Sequence, residues 1–521
     1  MEWTAALLAT LTAVCFHWLF LQHAGGLWRD EASLVQAATL PSWHDLWQAL
    51  PHESGPVLAA ALIRMWSAVG LGGTDFGLRV LGFGIGVLLT ACLWIAGWAM
   101  GRRLPLLPLA LLGVSALVIR YGDSLRAYGL GSGLGVLTLA LVWRAVEKTT
   151  PARVALAALA AALSVQALYQ NAFLVFAACC AGMTVCAGGR RWRQAFWILG
   201  IGLVAAISLL PYIPLVLRAQ EWYALEKTGF KFYQCWRITA VATSFPFPGG
   251  QWLWIALCLL ALWSAWRHLK QPGTPEGKLA LFSAVALAVG LVGFLLFLVV
   301  SQLPTQPWYY MPLLFFATAC LDGLLVLPRV WGRPALAGFA ILAVALAWAF
   351  GPRYVKARQT NLDLAAARLT TEAGPGDYII VHPWYCGVSF GRYYHGAAPW
   401  TTLPPLADHT YHRYDLLKVQ MQKVRPIQPV LDGIEATLKA GHRVWVVGKP
   451  DPKYVPAQEP NPAPDNPWGW FDTPYSRIWG AQTVIFIVTH ARQIDDYPPL
   501  TMEFVNSDET EPVVFATGWK D

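Results

Sequence analysis

The chain has 521 residues, of which 56% are hydrophobic and only 13% are charged, and its formal net charge is +8. An apolar fraction of this size excludes an ordinary soluble globular protein. Runs of roughly 17–24 apolar residues recur along the chain, which is the length that a bilayer requires, so the composition predicts a polytopic membrane protein.

The first apolar run, Ala5 to Leu21, is followed closely by Arg29-Asp30-Glu31. It lacks a preceding basic segment and an obvious cleavage site, which favours a retained span over a signal peptide. The stretch from Glu31 to Leu40 indicates a short helix, so Asp30 is expected at a helix N-terminus, where an ionised carboxylate is favoured. Taken alone, the pattern indicates only an N-cap and a solvated first-turn acid, although adjacent carboxylates at the mouth of a span are costly unless they are used.

Residues 23–77 form a long predicted outer loop with helices of its own. Within it, Gly55 to Val69 is apolar but short, and it carries Arg64 in its middle. These features predict an amphipathic helix lying at the membrane interface and not a span.

Further spans are predicted after this loop, which gives about eleven in total with the first one. They lie at about 78–100, 104–120, 127–143, 152–168, 171–187, 194–217, 251–267, 279–301, 308–327 and 334–350.

The basic residues predict the topology. If the N-terminus is cytoplasmic, every inside loop is basic, as the positive-inside rule requires. Those loops carry Arg102 and Arg103, then Arg144, Lys148 and Arg153, then Arg190, Arg191 and Arg193, then Arg267, Lys270 and Lys278, then Arg329 and Arg333. An odd number of spans leaves the C-terminal region outside, in a periplasmic or other extracytoplasmic space.

The composition changes near Gly351, where charges, Pro and Tyr become more frequent. Buried strands are predicted at Asp377–His382, His442–Gly448, Val484–Val488 and Pro512–Ala516, with a helix at Val430–Ala440. The sequence therefore predicts a transmembrane domain over residues 1–350 and a soluble α/β domain over residues 351–521.

Several outer segments carry residues that suit chemistry. Asp123 and Arg126 lie between two predicted spans, beside Arg120 and Tyr128. Charged residues that border apolar segments cost free energy, which suggests that they have a function. His52 opens the predicted interfacial helix. Plainer roles stay open: Arg126 and Tyr128 can anchor the end of a span, Asp123 can pair with an arginine, and His52 can hydrogen-bond a helix start.

Three cations lie in a predicted outer loop, against the positive-inside bias, namely Lys227, Lys231 and Arg237. Their placement suits an anionic ligand such as a phosphate, and contact with lipid headgroups explains it equally well. Most of the nine cysteines lie in apolar runs and none has metal-ligand spacing. Cys235 and Cys386 lie outside and can in principle pair.

Three of these segments together resemble the GT-C membrane glycosyltransferases, in particular the group of dolichyl-phosphate-mannose-protein mannosyltransferases and aminoarabinose transferases. The segments are Arg29-Asp30-Glu31 after the first span, the helix opening His52 to Leu58, and Arg120-Tyr121 followed by Arg126 and Tyr128. The resemblance covers roughly residues 1–350, and the Asp-Glu pair is its most specific element. The helix opening departs from the usual His-Pro-Pro-Leu.

The resemblance implies a sugar donor carried on a polyprenyl phosphate and used on the non-cytoplasmic face. A polyprenyl phosphate leaves readily, whereas the acceptor hydroxyl needs a base. Asp30 would be that base, in a direct displacement with inversion, and Glu31 would shape the site. Asp123 would be a second polar wall, and Asp30 and Asp123 would hold a divalent metal if the protein uses one. Expected ligands of the donor are His52, Arg120, Arg126, Tyr128, Lys227, Lys231 and Arg237, and the cations among them would bind its phosphate.

Two other classes remain open from the sequence. A lipid or sugar-lipid transporter would also be polytopic with buried charges, but the paired repeats typical of transporters are absent. A non-catalytic scaffold would not explain the carboxylates beside the first span. The basic loops are accounted for by topology, so nucleic acid is not an expected partner. The sugar and the acceptor, whether a glycan, a lipid or a protein, are not specified.

Overall fold

A computed structural model of the chain describes residues 1–101, 103–221, 230–271, 273–301, 305–325, 332–448, 450, 460–465, 472–506 and 509–521. Among these residues, eight helical segments are long and apolar enough to cross a membrane. They are Glu2–His23, Asp75–Gly101, Tyr128–Glu147, Asn171–Gly188, Trp192–Ala219, Gly250–Leu269, Pro275–Ser301 and Gly332–Val355. A multi-pass membrane protein accounts for them.

The helices are, in chain order, α1 (Glu2–His23), α2 (Arg29–Ala38), α3 (Trp43–Ala49), α4 (Leu58–Ala68), α5 (Asp75–Gly101), α6 (Leu106–Pro108), α7 (Ala116–Gly122), α8 (Tyr128–Glu147), α9 (Pro151–Ala167), α10 (Asn171–Gly188), α11 (Trp192–Ser208), α12 (Ile213–Glu221), α13 (Phe232–Thr243), α14 (Gly250–Leu269), α15 (Pro275–Ser301), α16 (Met311–Leu324), α17 (Gly332–Val355), α18 (Leu362–Glu372), α19 (Cys386–Tyr393), α20 (Tyr414–Met421), α21 (Gln428–Lys439) and α22 (Asp472–His490). The strands are β1 (Tyr378–Val381), β2 (Trp400–Thr402), β3 (Val444–Val447), β4 (Ala491–Asp496) and β5 (Val513–Trp519).

Two of the predicted spans correspond to short or interrupted helices. The segment predicted at 104–120 consists of α6, a π-helical stretch at Leu109–Gly113, and α7. The segment predicted at 308–327 begins with a 3-10 turn at Pro307–Tyr310 and continues as α16. Prolines at positions 105, 108, 307 and 312 explain these short elements, because proline removes a backbone donor and restricts the preceding residue. The count of eleven spans stays a prediction.

The described chain forms two compact units. Unit 1 comprises Met1–His23, Gly55–Ile213 and Thr228–Lys356. Its helices pack in pairs along the chain and across it, with α10 against α15, α5 against α8, and α1 against α17. Helix α4 occupies the predicted interfacial segment and packs on α5 and α9. With 11 residues it is much shorter than a span.

Unit 2 comprises Ala24–Ser54, Pro214–Lys227 and Ala357–Asp521. Residues 24–54, predicted as part of the outer loop of the transmembrane domain, thus belong to the same compact unit as the C-terminal region. Helix α2 packs on α19 within this unit. Residues 24–54 and the C-terminal region therefore share one folded body.

The centre of unit 2 is a five-stranded sheet with the order β2-β1-β3-β5-β4. Strand β1 is parallel to β2 and to β3, whereas β5 is antiparallel to both β3 and β4. Alternate residues of the strands face two apolar clusters: Ile380 and Val446 pack in one, Ile379 and Trp445 in the other. Helices cover both faces, as an α/β sheet with apolar strands requires.

The strand predictions are only partly right. Strands β1, β3 and β5 lie at the predicted positions. The prediction of a strand at Val484–Val488 is wrong, because this run lies inside α22 and the strand that follows is β4. A short apolar run rich in Val and Ile does not by itself distinguish a strand from a buried helix segment.

Candidate active site

Helix α2 places Asp30 in its first turn, as the sequence predicts. The Asp30 side chain is 25% exposed, and its Oδ1 lies 3.7 Å from Nε of Arg29. The adjacent Glu31 is fully buried, and its Oε2 accepts a hydrogen bond from the backbone N–H of Trp28 at 3.4 Å. Of the two neighbouring carboxylates, Glu31 therefore caps the helix and Asp30 is the one that stays partly exposed.

Arg29 is held by a residue that the sequence analysis missed. Oε1 of Glu509 accepts hydrogen bonds from the backbone N–H of Arg29 at 2.7 Å and from its Nη1 at 3.3 Å. The guanidinium also lies over the ring of Tyr385, 4.6 Å from the centroid. The positive charge beside Asp30 is thus fixed from two sides within unit 2.

Burial raises the pKa values of the acidic side chains near Arg29. It raises the pKa of Glu509 to about 7, although the Arg29 guanidinium and amide act in the opposite direction. Burial likewise raises the pKa of Glu511 to about 7, again opposed by Arg29. Burial and Glu511 hold the pKa of the Cys386 thiol well above its usual range, and Sγ of Cys386 donates to Oε1 of Glu511 at 3.8 Å. Glu509 and Glu511 therefore titrate near neutral pH.

His52 lies in a separate polar group of unit 2. Its Nε2 is 3.9 Å from Oδ1 of Asp415, and its ring contacts the ring of Tyr411 with 5.2 Å between centroids. Burial lowers the pKa of His52 to about 4, although Asp415 acts in the opposite direction. Burial therefore favours the neutral ring of His52, and its role as a ligand of the donor stays a prediction.

Asp123 is buried in unit 1 beside a histidine of the first span. The side chain is 1% exposed, and Oδ1 lies 2.7 Å from Nδ1 of His17. The other ring nitrogen of His17 is 3.4 Å from Oγ1 of Thr90. Burial raises the pKa of Asp123, in the loop after α7, to about 6, and His17 and Arg79 lower it. The sequence analysis missed His17, although a histidine within an apolar span is itself a signal.

Two glycines of α5 make room for this pair. A Cβ on Gly82 would lie 2.0 Å from the carbonyl oxygen of Asp123. A Cβ on Gly86 would lie 1.9 Å from Oδ1 of Asp123 and 2.5 Å from Nδ1 of His17. The loop after α7 can therefore approach α5 only because both positions lack a side chain.

The predicted ligands Arg120 and Tyr128 lie near an aromatic turn at Pro307–Tyr310. The guanidinium of Arg120 is 5.4 Å from the ring centroid of its neighbour Tyr121, which in turn packs on Trp308 with 4.5 Å between centroids. Tyr128 contacts Tyr309 at 5.8 Å. The turn also packs on α13, so it joins two segments that the sequence placed outside.

Arg126 lies at an apolar groove of unit 1. The side chain is almost fully buried, and its backbone N–H donates to Oγ of Ser124 at 3.3 Å. The groove lining comes from α4, α5, the loop before α8 and the start of α8. It consists of Ala59, Leu62, Ile63, Leu81, Ile85, Leu125, Arg126 and Leu130. Arg126 is the one charged residue in this small and otherwise apolar lining.

The other predicted cations are placed differently. Lys231 precedes α13 and Arg237 lies within it, and both are exposed beside the exposed rings of Phe232 and Tyr233. Lys227 lies outside the described residues. Exposed cations among aromatic rings suit headgroup contact as well as a ligand, so the two interpretations of this helix both stand.

The predicted site residues divide between the units. Asp30, Glu31 and His52 belong to unit 2, and the described remainder belongs to unit 1. That Asp30 and Asp123 share one pocket stays a prediction. Among the described residues, no three His, Cys, Asp or Glu side chains form a group that could hold a metal ion, and the predicted metal also stays a prediction. Cys235 and Cys386 are free thiols, so the pairing that the sequence allowed is absent.

No protein-family model and no curated protein matches this chain. Among solved structures, it is similar to the Archaeoglobus fulgidus oligosaccharyltransferase in complex with Zn and sulfate, with a TM-score of 0.47 and 11% identity over 85% of this chain and 68% of that one. It is also similar to the archaeal oligosaccharyltransferase AglB from Archaeoglobus fulgidus in complex with an inhibitory peptide and a dolichol-phosphate, with a TM-score of 0.46 and 11% identity over 86% of this chain and 69% of that one. Function is therefore inferred from this chain's own residues.

Proposed function

We propose that this protein is an integral membrane glycosyltransferase of the GT-C type. It transfers a sugar from a polyprenyl-phosphate donor to an acceptor hydroxyl on the non-cytoplasmic face, and Asp30 is the general base. The motifs after the first span, at His52 and around Arg126 support this proposal through their resemblance to the mannosyltransferase and aminoarabinose-transferase group. The sugar is a hexose or a pentose, and the acceptor is a glycan, a lipid or a protein.

The observation that carries the proposal is the partial exposure of Asp30 at a helix start beside a cation. It is partly exposed at the first turn of α2, directly after the first span, while Glu31 beside it is buried in a cap. The partial positive charge of a helix N-terminus and the guanidinium of Arg29 at 3.7 Å both favour the ionised carboxylate. A partly exposed carboxylate can accept a proton from a hydroxyl.

In the proposed reaction, Asp30 removes the proton of the acceptor hydroxyl. The resulting oxygen nucleophile forms a bond to the anomeric carbon, and the bond between that carbon and the phosphate oxygen breaks with inversion. The electron pair leaves with the polyprenyl phosphate, whose added negative charge is stabilised by cations. Glu31 acts indirectly, because its cap fixes the turn that carries Asp30.

The groove at Arg126 supports a lipid-borne donor. The groove itself is small, but its one cation, Arg126, suits contact with a phosphate and its apolar rim suits contact with the adjoining lipid. Arg120, Lys231, Arg237 and Lys227 are proposed as further contacts to the phosphate or to the surrounding headgroups. Within unit 1, the base role is less suited to Asp123, because its buried carboxylate already bonds to His17.

The test is donor consumption by Asp30→Asn. Membranes that contain the full chain are given a panel of polyprenyl-phosphate monosaccharides, here called the donor panel, with mannose, glucose, galactose, N-acetylglucosamine or 4-amino-4-deoxyarabinose as the sugar. Native membranes supply the acceptor, and released polyprenyl phosphate is measured by mass spectrometry. Asp30→Asn should lose about 10²–10⁴-fold in rate, because it keeps shape but removes basicity.

Asp45→Asn is the matched control, because Asp45 also lies in the first turn of a helix in the same loop and caps it through Ser42. It should retain its rate. A wild-type rate for Asp30→Asn would refute the assignment of the base. If no donor in the panel is consumed but undecaprenyl phosphate still binds, the lipid-transporter alternative replaces the enzyme.

The proposed reaction also requires a topology. We infer a cytoplasmic N-terminus and an extracytoplasmic region after Gly351, because all the assigned inside loops are basic. Alkaline phosphatase fused after residue 521 should be active, whereas a cytoplasmic reporter at the same position should be silent. The opposite pattern would place the C-terminal region on the wrong side for an extracytoplasmic reaction.

A further inference from the structure

We infer that Glu509 is a positioning residue for the reaction, because it fixes Arg29 and the first turn of α2 and thereby orients Asp30. This inference rests on the proposed function, since it assigns to the C-terminal region a task in the same site. It also predicts a conformational property of α2 that can be measured without any substrate.

The Glu509 side chain contacts both the backbone and the side chain of Arg29. Its Oε1 accepts from the N–H of Arg29 at 2.7 Å and from Nη1 of Arg29 at 3.3 Å. Arg29 is the first residue of α2, where backbone N–H groups have no partner within the helix. A carboxylate at this position satisfies such a donor and interacts favourably with the helix dipole. Glu509 therefore acts as a cap supplied from 480 positions away in the sequence.

Glu509 is itself presented by a fixed stretch of backbone. Its carbonyl accepts from the N–H of Asn361 at 3.3 Å, and its N–H donates to the carbonyl of Asn506 at 3.1 Å. The Asn361 side chain also bonds both the N–H and the carbonyl of Glu511, at 2.9 and 2.8 Å. The segment before β5 is thus hydrogen-bonded on both sides of Thr510, and the fully buried Glu509 side chain extends from this segment.

The contacts of Arg29 explain why removal of the Glu509 carboxylate would change the orientation of Asp30. Arg29 lies between two acids, with Nη1 3.3 Å from Glu509 and Nε 3.7 Å from Asp30. Without Glu509, Nη1 of Arg29 loses its contact to this carboxylate, and the first turn loses the bond to its N–H. Asp30 shares that turn, so its carboxylate is no longer held in one direction. A displacement of about 1 Å at a reacting group can cost on the order of 100-fold in rate.

The experiment compares three variants of the full chain in membranes. Glu509→Ala removes the anchor, Glu509→Asp keeps the charge but shortens the reach, and Glu509→Gln keeps an acceptor oxygen without the charge. Glu503→Ala is the matched control, because Glu503 is a glutamate in the same region that contacts Arg358 at 3.3 Å but is 57% exposed. Hydrogen exchange of the segment 29–38 is measured, together with kcat and KM for whichever donor of the panel the wild type consumes.

Glu509→Ala and Glu509→Asp should speed exchange in the first turns of α2 by about tenfold and lower kcat by about 10- to 100-fold, with donor KM unchanged. Glu509→Gln should recover most of the kcat, and Glu503→Ala should match the wild type. If Glu509→Ala does not fold, Glu509→Asp carries the test. Combined with Asp30→Asn, Glu509→Asp should add no further loss, because it acts through Asp30.

Wild-type exchange in folded Glu509→Ala or Glu509→Asp would overturn the inference. Faster exchange with an unchanged kcat would do the same, since α2 would then move without consequence for the reaction. A wild-type rate for Asp30→Asn alone contradicts the proposed function instead. The two failures are therefore distinguishable.

Discussion

The two carboxylates singled out for chemistry, Asp30 of unit 2 and Asp123 of unit 1, have opposite surroundings. Asp30 is one-quarter exposed beside a cation at a helix start. Asp123 is 1% exposed and bonds to His17, a histidine of the first span. An aspartate carboxylate is therefore partly exposed in unit 2 and buried in unit 1.

The comparison shows what each placement requires. An interior acid needs a polar partner and enough space, which His17 and the glycines of α5 supply. A surface acid needs only to be held in one direction, which the Arg29–Glu509 contacts do for the turn that carries Asp30. Loss of the interior partner should therefore damage stability, whereas changes near Asp30 should damage turnover.

The largest effect should follow loss of the interior partner. His17→Ala leaves a buried carboxylate without its hydrogen bond, which should cost about 3–5 kcal/mol of stability. Thermal unfolding in nanodiscs measures the loss. His23→Ala on the same helix should have almost no effect on stability, because His23 bonds to a carbonyl of its own helix, that of Leu19, at 2.8 Å. Adding Asp123→Asn should restore part of the loss, and additive effects would contradict the pairing.

A next, slightly smaller effect should come from filling the space at α5. In Gly86→Ala the new Cβ would meet Oδ1 of Asp123 at 1.9 Å, so overpacking should cost about 3 kcal/mol. Gly84→Ala is matched in helix and chemistry, but its Cβ would meet nothing within 4 Å. Melting temperatures of the two variants should therefore separate clearly. Equal values would mean that the Asp123 loop does not approach α5 closely.

The groove of unit 1 should show a moderate effect on binding. Arg126→Gln should weaken undecaprenyl phosphate binding by about 1.5–3 kcal/mol, because it removes a charge-assisted contact. Lys231→Ala and Arg237→Ala, which alter exposed side chains, should each cost under about 1 kcal/mol. Arg64→Gln is the control, since Arg64 lies on α4 but does not line the groove. An effect of Arg64→Gln as large as that of Arg126→Gln would refute a specific site.

The smallest effect concerns pH and unit 2. The folded pKa of Glu511, about 7, is above its ordinary value of 4.5, so the folded state holds this proton more tightly than the unfolded state. Its contribution to stability is then fully present below pH 4.5 and is lost as the pH rises to about 7. Glutamine does not ionise, so Glu511→Gln should lack this loss. The difference in unfolding free energy between Glu511→Gln and the wild type should therefore be about 1 kcal/mol more favourable to the variant at pH 8 than at pH 5. Glu503→Gln should not, and equal pH responses would contradict the burial of Glu511.

The sequence determined the elements that depend on local composition. Long apolar runs fixed most of the membrane helices, since a bilayer admits no other pattern over about 20 residues. The helix start at Asp30 followed from its neighbours, and strands β1, β3 and β5 followed from apolar runs bounded by polar or turn residues. Local ambiguity caused the error at Val484–Val488, where one short run suits either a strand or a helix.

Only the tertiary structure decided which groups meet. His17 and Asp123 are 106 positions apart, and Arg29 and Glu509 are 480 apart, so no periodicity links them. Exposure likewise depended on packing, which left Asp30 partly exposed and buried the side chains of Glu31 and His52. Local patterns set backbone preferences, but partners and burial arise only when distant segments pack, because both depend on atoms that the chain brings together in folding.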